Sequence, residues 1–196
     1  MIVVIDYNLG NIGSITSSLD RLGQDYLVTS DPGKIAQAQK VIFPGVGQAS
    51  VAMNELKKRG LVDVIKDIKV PFLGICLGMQ LLLDYSEEDD VNCLGIVPGN
   101  VKKFPADKEF KVPQIGWNGV RQFKDSYLFK DVFDGGYFYF VNSYYVETDN
   151  QYTLSKTNHG IEFVSAIKKD NFYGVQFHPE KSGSIGEKLL DNFCKL

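Results

Sequence analysis

Residues 70–83 read Val70-Pro71-Phe72-Leu73-Gly74-Ile75-Cys76-Leu77-Gly78-Met79-Gln80-Leu81-Leu82-Leu83, the most apolar stretch of the chain. A bilayer span needs about 20 apolar residues. This stretch is shorter and is broken by Pro71, two glycines and Gln80. It reads instead as a strand buried on both faces, Pro71 to Ile75, that turns directly into a helix carrying Met79, Leu81, Leu82 and Leu83. The same pattern recurs upstream. Ile2-Val3-Val4-Ile5 is a continuous β-branched run, followed by Ile12, Ile15, Leu19 and Leu22 at helical spacing and a stop at Gly23. Tyr26 to Thr29 and Val41 to Phe43 read as two further strands. Val51 to Ile65 has helical spacing, with Lys57, Lys58 and Arg59 on the wet side. Such β-α-β-α-β alternation predicts a parallel sheet with helices on both faces.

Downstream of Leu83 the pattern changes. The acidic run Glu87-Glu88-Asp89-Asp90 reads as a solvated loop. Val97 to Phe104, Gly136 to Val141, Tyr144 to Thr148, Glu162 to Ile167 and Phe172 to Phe177 read as strands separated by turn signals, and Ile185 to Phe193 as a closing amphipathic helix. Lys102 and Lys103, like the three basic residues at 57–59, read as solvated positions. No repeat or linker divides the chain, so residues 1–196 are expected to form one domain.

Composition narrows the function classes. The chain has 196 residues, 44% hydrophobic and 23% charged, with a net charge of −3. That slight acidity argues against nucleic-acid binding, which calls for a basic surface. Three cysteines (Cys76, Cys93, Cys194) form neither a disulfide framework nor a C-x-x-C pair, and two histidines (His159, His178) leave little for a metal cage. No metal or organic cofactor is called for. Met1 to Asp6 lacks the basic lead of a signal peptide. A cytoplasmic home and no membrane association are the expectation.

Three segments carry chemistry. Gly74-Ile75-Cys76-Leu77-Gly78 has the form of a nucleophile elbow, with cysteine in the nucleophile position. Glycines on either side allow close backbone packing, the helix start favours a thiolate, and the Leu77 amide is placed to bind an oxyanion. A buried core cysteine between loop glycines is the competing reading. In Gln176-Phe177-His178-Pro179-Glu180, Pro179 favours an extended His178, and side chains two apart then share a side. His178 and Glu180 are the base and orienting carboxylate that a cysteine nucleophile needs, though a satisfied strand-end histidine fits as well. Pro44-Gly45-Val46-Gly47 follows a strand and either presents amides to an anion or makes an ordinary turn. His159 reads as a turn residue, and Cys93 and Cys194 carry no such setting.

Taken together these three loops resemble the class I (triad) glutamine amidotransferases. Asp6-Tyr7, Gly10-Asn11, Gly99-Asn100-Val101, Gly116-Trp117-Asn118, Tyr139-Phe140-Val141 and Glu180-Lys181-Ser182 with Ile185-Gly186 extend the likeness in order over nearly the whole chain. They narrow it to the branch whose members pass ammonia to a separate cyclase subunit. The resemblance implies a flavodoxin-like open, mostly parallel sheet with helices on both faces and an added antiparallel strand region. It implies catalysis by Cys76, His178 and Glu180. The oxyanion would be held by Leu77 and the Val46-Gly47 loop, the latter after a partner-induced peptide rearrangement. Glutamine would be bound by Gly47, Gln80, Ser143 and Tyr144. It also implies a heterodimer with a (β/α)₈ cyclase subunit, an ammonia channel between the two, and closure of an imidazole ring in histidine biosynthesis. Two positions depart from the usual family pattern: Gln114 and Asn142 stand where histidine is usual. Neither can carry a proton charge near neutrality, and the alternative they raise is a paralogous glutaminase serving another acceptor, such as a surface-sugar amidating enzyme. A non-catalytic regulatory module of the same fold and a stand-alone cysteine hydrolase of similar fold are the further alternatives.

Overall fold

Strand and helix alternate through the first half of the chain, in the order β1 (Ile2–Ile5), α1 (Ile12–Arg21), β2 (Tyr26–Thr29), α2 (Pro32–Ala36), β3 (Lys40–Gly45), α3 (Ala49–Lys58), α4 (Leu61–Lys66), β4 (Phe72–Cys76) and α5 (Leu77–Gln80). A strand-rich region follows: β5 (Tyr85–Ser86), β6 (Val91–Asn92), β7 (Asn100–Lys103), β8 (Gln114–Gln122), β9 (Gly136–Asn142), β10 (Tyr144–Glu147), β11 (Thr153–His159) and β12 (Ile161–Lys169). The chain then returns with β13 (Phe172–Val175) and closes on α6 (Gly183–Cys194). The structure, a computed structural model, describes residues 1–105 and 110–196.

Five parallel strands lie in the order β2-β1-β3-β4-β13, and β12, β10 and β7 continue the sheet with antiparallel neighbours. The continuous apolar run of β1 follows from its position. Val3 and Ile5 pack with Met53, Leu56, Leu61 and Ile65 on one face, while Ile2 and Val4 pack with Ile15, Leu19, Leu189, Leu190 and Phe193 on the other. Each such side chain contributes roughly 1.5–3 kcal/mol by leaving water. No helix among the described residues is long and apolar enough to cross a membrane.

The structure departs from the sequence reading at several places. Residues 51–65 form two helices, because Gly60 adopts a left-handed φ of 66° between α3 and α4. The helix after β4 is a single turn, and Leu81, Leu82 and Leu83 continue as a buried turn hydrogen-bonded back to Leu77, Met79 and Gln80. Strands β8 and β11 were not anticipated. β8 carries two glycines and alternates poorly, and β11 is mostly polar, so their pairing with β9 and β12 depends on backbone hydrogen bonds more than on an apolar pattern. The short helix α2 was also missed, although Asp31 caps it by accepting from the Gly33 and Lys34 amides and Pro32 occupies its first turn. The acidic run is more ordered than a solvated loop. Glu87 accepts from the Lys103 amide, Glu88 from the Ala49 amide, Asp89 from the Ser50 hydroxyl and Asp90 from the Tyr85 hydroxyl.

Candidate active site

β3, β4 and β13 end side by side, and ligand sites in open α/β sheets form at such carboxyl ends. Gly45 lies opposite Cys76 across β3 and β4, and Val175 lies opposite Ile75 across β13 and β4. Cys76 closes β4 with φ 55° and ψ −112°, a conformation that costs a non-glycine residue of order 1–3 kcal/mol. The flanking glycines make that turn possible. A Cβ on Gly78 would lie 1.9 Å from the Phe43 carbonyl oxygen, and one on Gly74 would lie 2.5 Å from the Gly78 carbonyl oxygen. Cys76 therefore stands at an elbow whose geometry its neighbours permit, with its side chain 3.9 Å from the Val141 carbonyl oxygen of β9.

His178 is fixed from three directions. Its amide donates to the Tyr139 carbonyl at 2.8 Å; the Ser182 hydroxyl donates to the His178 carbonyl at 2.6 Å and accepts from the Tyr139 amide at 3.0 Å. Its ring Nδ1 lies 2.8 Å from Glu180 Oε1, and the two side chains are only 4% and 1% exposed. The backbone at His178 is extended, as Pro179 requires, but Glu180 reaches the ring from a 3₁₀ turn over Pro179–Lys181 and not from a continuing strand. Burial disfavours the protonated ring. The adjoining Cys76 thiolate and then the Glu180 carboxylate outweigh it and raise the His178 pKa from 6.5 to about 10. A cysteine sulfur beside an imidazole that is itself held by a carboxylate is equipped to attack a carbonyl carbon and to protonate a leaving group.

A cleft of about 330 Å³ opens over these residues. Val46, Gly47 and Leu77 line it, as do Gln80, Ser143 and Tyr144, so every candidate oxyanion and substrate residue borders one cavity with Cys76 and His178. Gly47 has a left-handed φ of 95°. Glu88, Pro113, Val141, Asn142 and Lys181 also line the cleft and were not singled out from the sequence. Glu88 is the most informative of these. Burial raises its pKa, and its carboxylate brings negative charge into the cleft. Four consecutive acids concealed the one that turns inward.

Other candidates fall outside the cleft. Cys93 and Cys194 have pKa values pushed up to about 12 and about 11, chiefly by burial. His159 ends β11 before the turn at Gly160, bonds to the Lys111 carbonyl at 2.8 Å, and packs edge-on against Phe104 and Phe110. Lys58 and Arg59 pair with Glu55, and Lys102 with Glu147. Gln114 and Asn142 are both buried and stand directly opposite each other across β8 and β9. Among the described residues no cluster of three or more histidine, cysteine or acidic side chains is placed to hold a metal.

The model of the family "Glutamine amidotransferase class-I" matches residues 3–196. The chain belongs to the class-I glutamine amidotransferases. Over its full length this amidotransferase is 47% identical to imidazole glycerol phosphate synthase subunit HisH 2 of Legionella pneumophila, covering 98% of that protein. It is 48% identical to imidazole glycerol phosphate synthase subunit HisH of Bacteroides fragilis, again over its full length and 99% of the relative. Solved structures share the fold at low identity. One is a glutamine amidotransferase of Thermotoga maritima, with a TM-score of 0.65 at 18% identity over 99% of this chain and 82% of that one. Another is the glutaminase domain of Trypanosoma brucei CTPS, with a TM-score of 0.70 at 15% identity over 99% and 93%.

Proposed function

We propose that this amidotransferase is the glutaminase subunit of an imidazole glycerol phosphate synthase. The observation that carries the reading is the Cys76-His178-Glu180 constellation at the end of the parallel strands, in a chain that matches HisH proteins from end to end. Glutamine lies in the cleft with its side-chain amide at Cys76, near Gln80, Ser143 and Tyr144, and with its α-ammonium toward Glu88. The Cys76 thiolate adds to the amide carbon, and the oxyanion is met by the Leu77 amide and the Val46-Gly47 loop. His178 gives its proton to the nitrogen, the C–N bond breaks, and ammonia leaves behind a γ-glutamyl thioester. His178, neutral again and oriented by Glu180, takes a proton from water as the water oxygen attacks the thioester. The C–S bond breaks, yielding glutamate and returning the thiolate-imidazolium pair. In balance, glutamine and water become glutamate and ammonia. No metal or organic cofactor enters these steps.

The ammonia passes through a shielded channel to a (β/α)₈ cyclase subunit, which makes imidazole glycerol phosphate and aminoimidazole carboxamide ribotide. The outer face of β8 and β9 supports the partner. Ile115 (66% exposed), Trp117 (55%), Tyr137 (63%) and Val141 (38%) present large apolar side chains there, while Gln114, Phe138, Phe140 and Asn142 alternate inward. Such a cluster is more apolar than a free surface needs, and it backs directly onto Cys76 through β9.

Expression in a histidine auxotroph that lacks its own glutaminase subunit tests the proposal. Growth without histidine, abolished by Cys76→Ala, is the expected result. No growth from a chain that still hydrolyses glutamine would instead assign the ammonia to another acceptor, the alternative that Gln114 and Asn142 raise.

A further inference from the structure

Gln176 lies one residue beyond β13 and is fully buried. The pairing of Val175 with Ile75 sets its position, because the next residue along each strand is Gln176 on one and Cys76 on the other. Gln176 Nε2 is 3.7 Å from Cys76 Sγ, and Gln176 Oε1 accepts from Gln80 Nε2 at 2.9 Å. The direction of this amide is dictated by a group further out. Gln80 Nε2 also donates to the Tyr144 carbonyl at 3.2 Å, and a carbonyl only accepts. The amino end of Gln80 is thereby committed, so Gln176 meets it with oxygen and turns its own amino group to the sulfur. An amino group only donates. Toward Gln176 the sulfur thus accepts, which a thiolate does far better than a thiol, while the Val141 carbonyl oxygen at 3.9 Å is the acceptor that a thiol proton faces.

We propose that Gln176 is a positioning residue that holds Cys76 Sγ as a thiolate through an N–H···S bond, with Gln80 as the strut that orients its amide. The proposal rests on the reading of Cys76 as the nucleophile. It adds a neutral donor just beyond β13 to the charged partner two residues further on. The other titratable groups facing Cys76 are His178 with Glu180 behind it, and the buried Tyr7 hydroxyl; Glu88, Tyr144 and Lys181 line the same cleft. Gln176 does not titrate, so its N–H is offered to the sulfur at every pH. His178, by contrast, favours the thiolate only while it is itself protonated.

The test is the rate of Cys76 alkylation by iodoacetamide as a function of pH, read by peptide mass spectrometry on the whole chain without glutamine. In Gln176→Leu the rate midpoint shifts to higher pH and alkylation below that midpoint falls about tenfold, the scale of one hydrogen bond to a charged group. Gln176→Glu, which replaces the donor by an anion, loses more. A Gln176→Leu profile that overlays the unsubstituted chain overturns the proposal. If Gln176→Leu does not fold, Gln80→Leu serves instead. It leaves Gln176 in place without its strut, and the proposal requires a shift in the same direction of smaller size; no shift overturns it. Glutamine hydrolysis by Cys76→Ser would instead overturn the reading of the nucleophile, a result separate from any of these profiles.

Discussion

Replacing Cys76 with alanine lowers the pKa of His178, which lies beyond the end of another strand. The His178 pKa is raised from 6.5 to about 10 against the opposing effect of burial, and the Cys76 thiolate leads the groups that raise it. That rise corresponds to a differential interaction on the order of 5 kcal/mol. In Cys76→Ala the burial remains and only Glu180 opposes it, so the His178 midpoint falls. The chain has only two histidines, His159 and His178. The imidazole Cε1–H resonances in an NMR titration are therefore two in number, and His159 serves as an internal reference away from the cleft. The sign of the linked stability effect is set by the same shift. The folded state binds this proton more tightly than the unfolded chain, so the stabilisation is complete below about pH 6.5 and is lost as pH rises through about 10. A His178 resonance that titrates identically in both proteins would refute the thiolate-imidazolium pair.

Three other substitutions examine the elbow, a control glycine in α1 and the triad. Gly78→Ala places a Cβ 1.9 Å from the Phe43 carbonyl oxygen, where only backbone movement relieves the contact, so thermal unfolding should show a loss of about 3 kcal/mol or more. Gly13→Ala in helix α1, where nothing lies within 4 Å of the new Cβ, should leave the melting temperature unchanged or raised. Glu180→Gln removes a charge that raises the His178 pKa, so the alkaline limb of the glutaminase pH profile moves to lower pH and kcat/KM falls roughly 10²–10⁴-fold; a profile of unchanged shape contradicts the assigned role.

Several features of the site were legible because their local chemistry is restrictive. An apolar run such as Ile2 to Ile5 has few explanations other than a strand covered on both faces, and it packs that way against α3 and α4 on one side and α1 and α6 on the other. The elbow was readable from two glycines because a Cβ at either meets backbone. The His178-Glu180 contact was expected for an imperfect reason, since a 3₁₀ turn and not an extended strand brings the carboxylate to the ring. What stayed hidden depends on long-range register. Nothing near Gln176 announces a partner one hundred residues earlier; the contact exists because β13 inserts beside β4. Glu88 was lost among its acidic neighbours, since which acid turns inward is decided by the distant Ala49 amide. β8 and β11 lacked an apolar signature, so the face that carries Ile115 and Trp117 was not placed on a sheet.

The central claim is that Cys76 releases ammonia from glutamine for use by a partner synthase subunit. The most direct measurement compares two nitrogen sources in the assembled pair, with the Cys76→Ala chain in place of the parent. Normal formation of imidazole glycerol phosphate from an ammonium salt, and none from glutamine, is the expected result. Product formed from glutamine by the Cys76→Ala pair would contradict the claim.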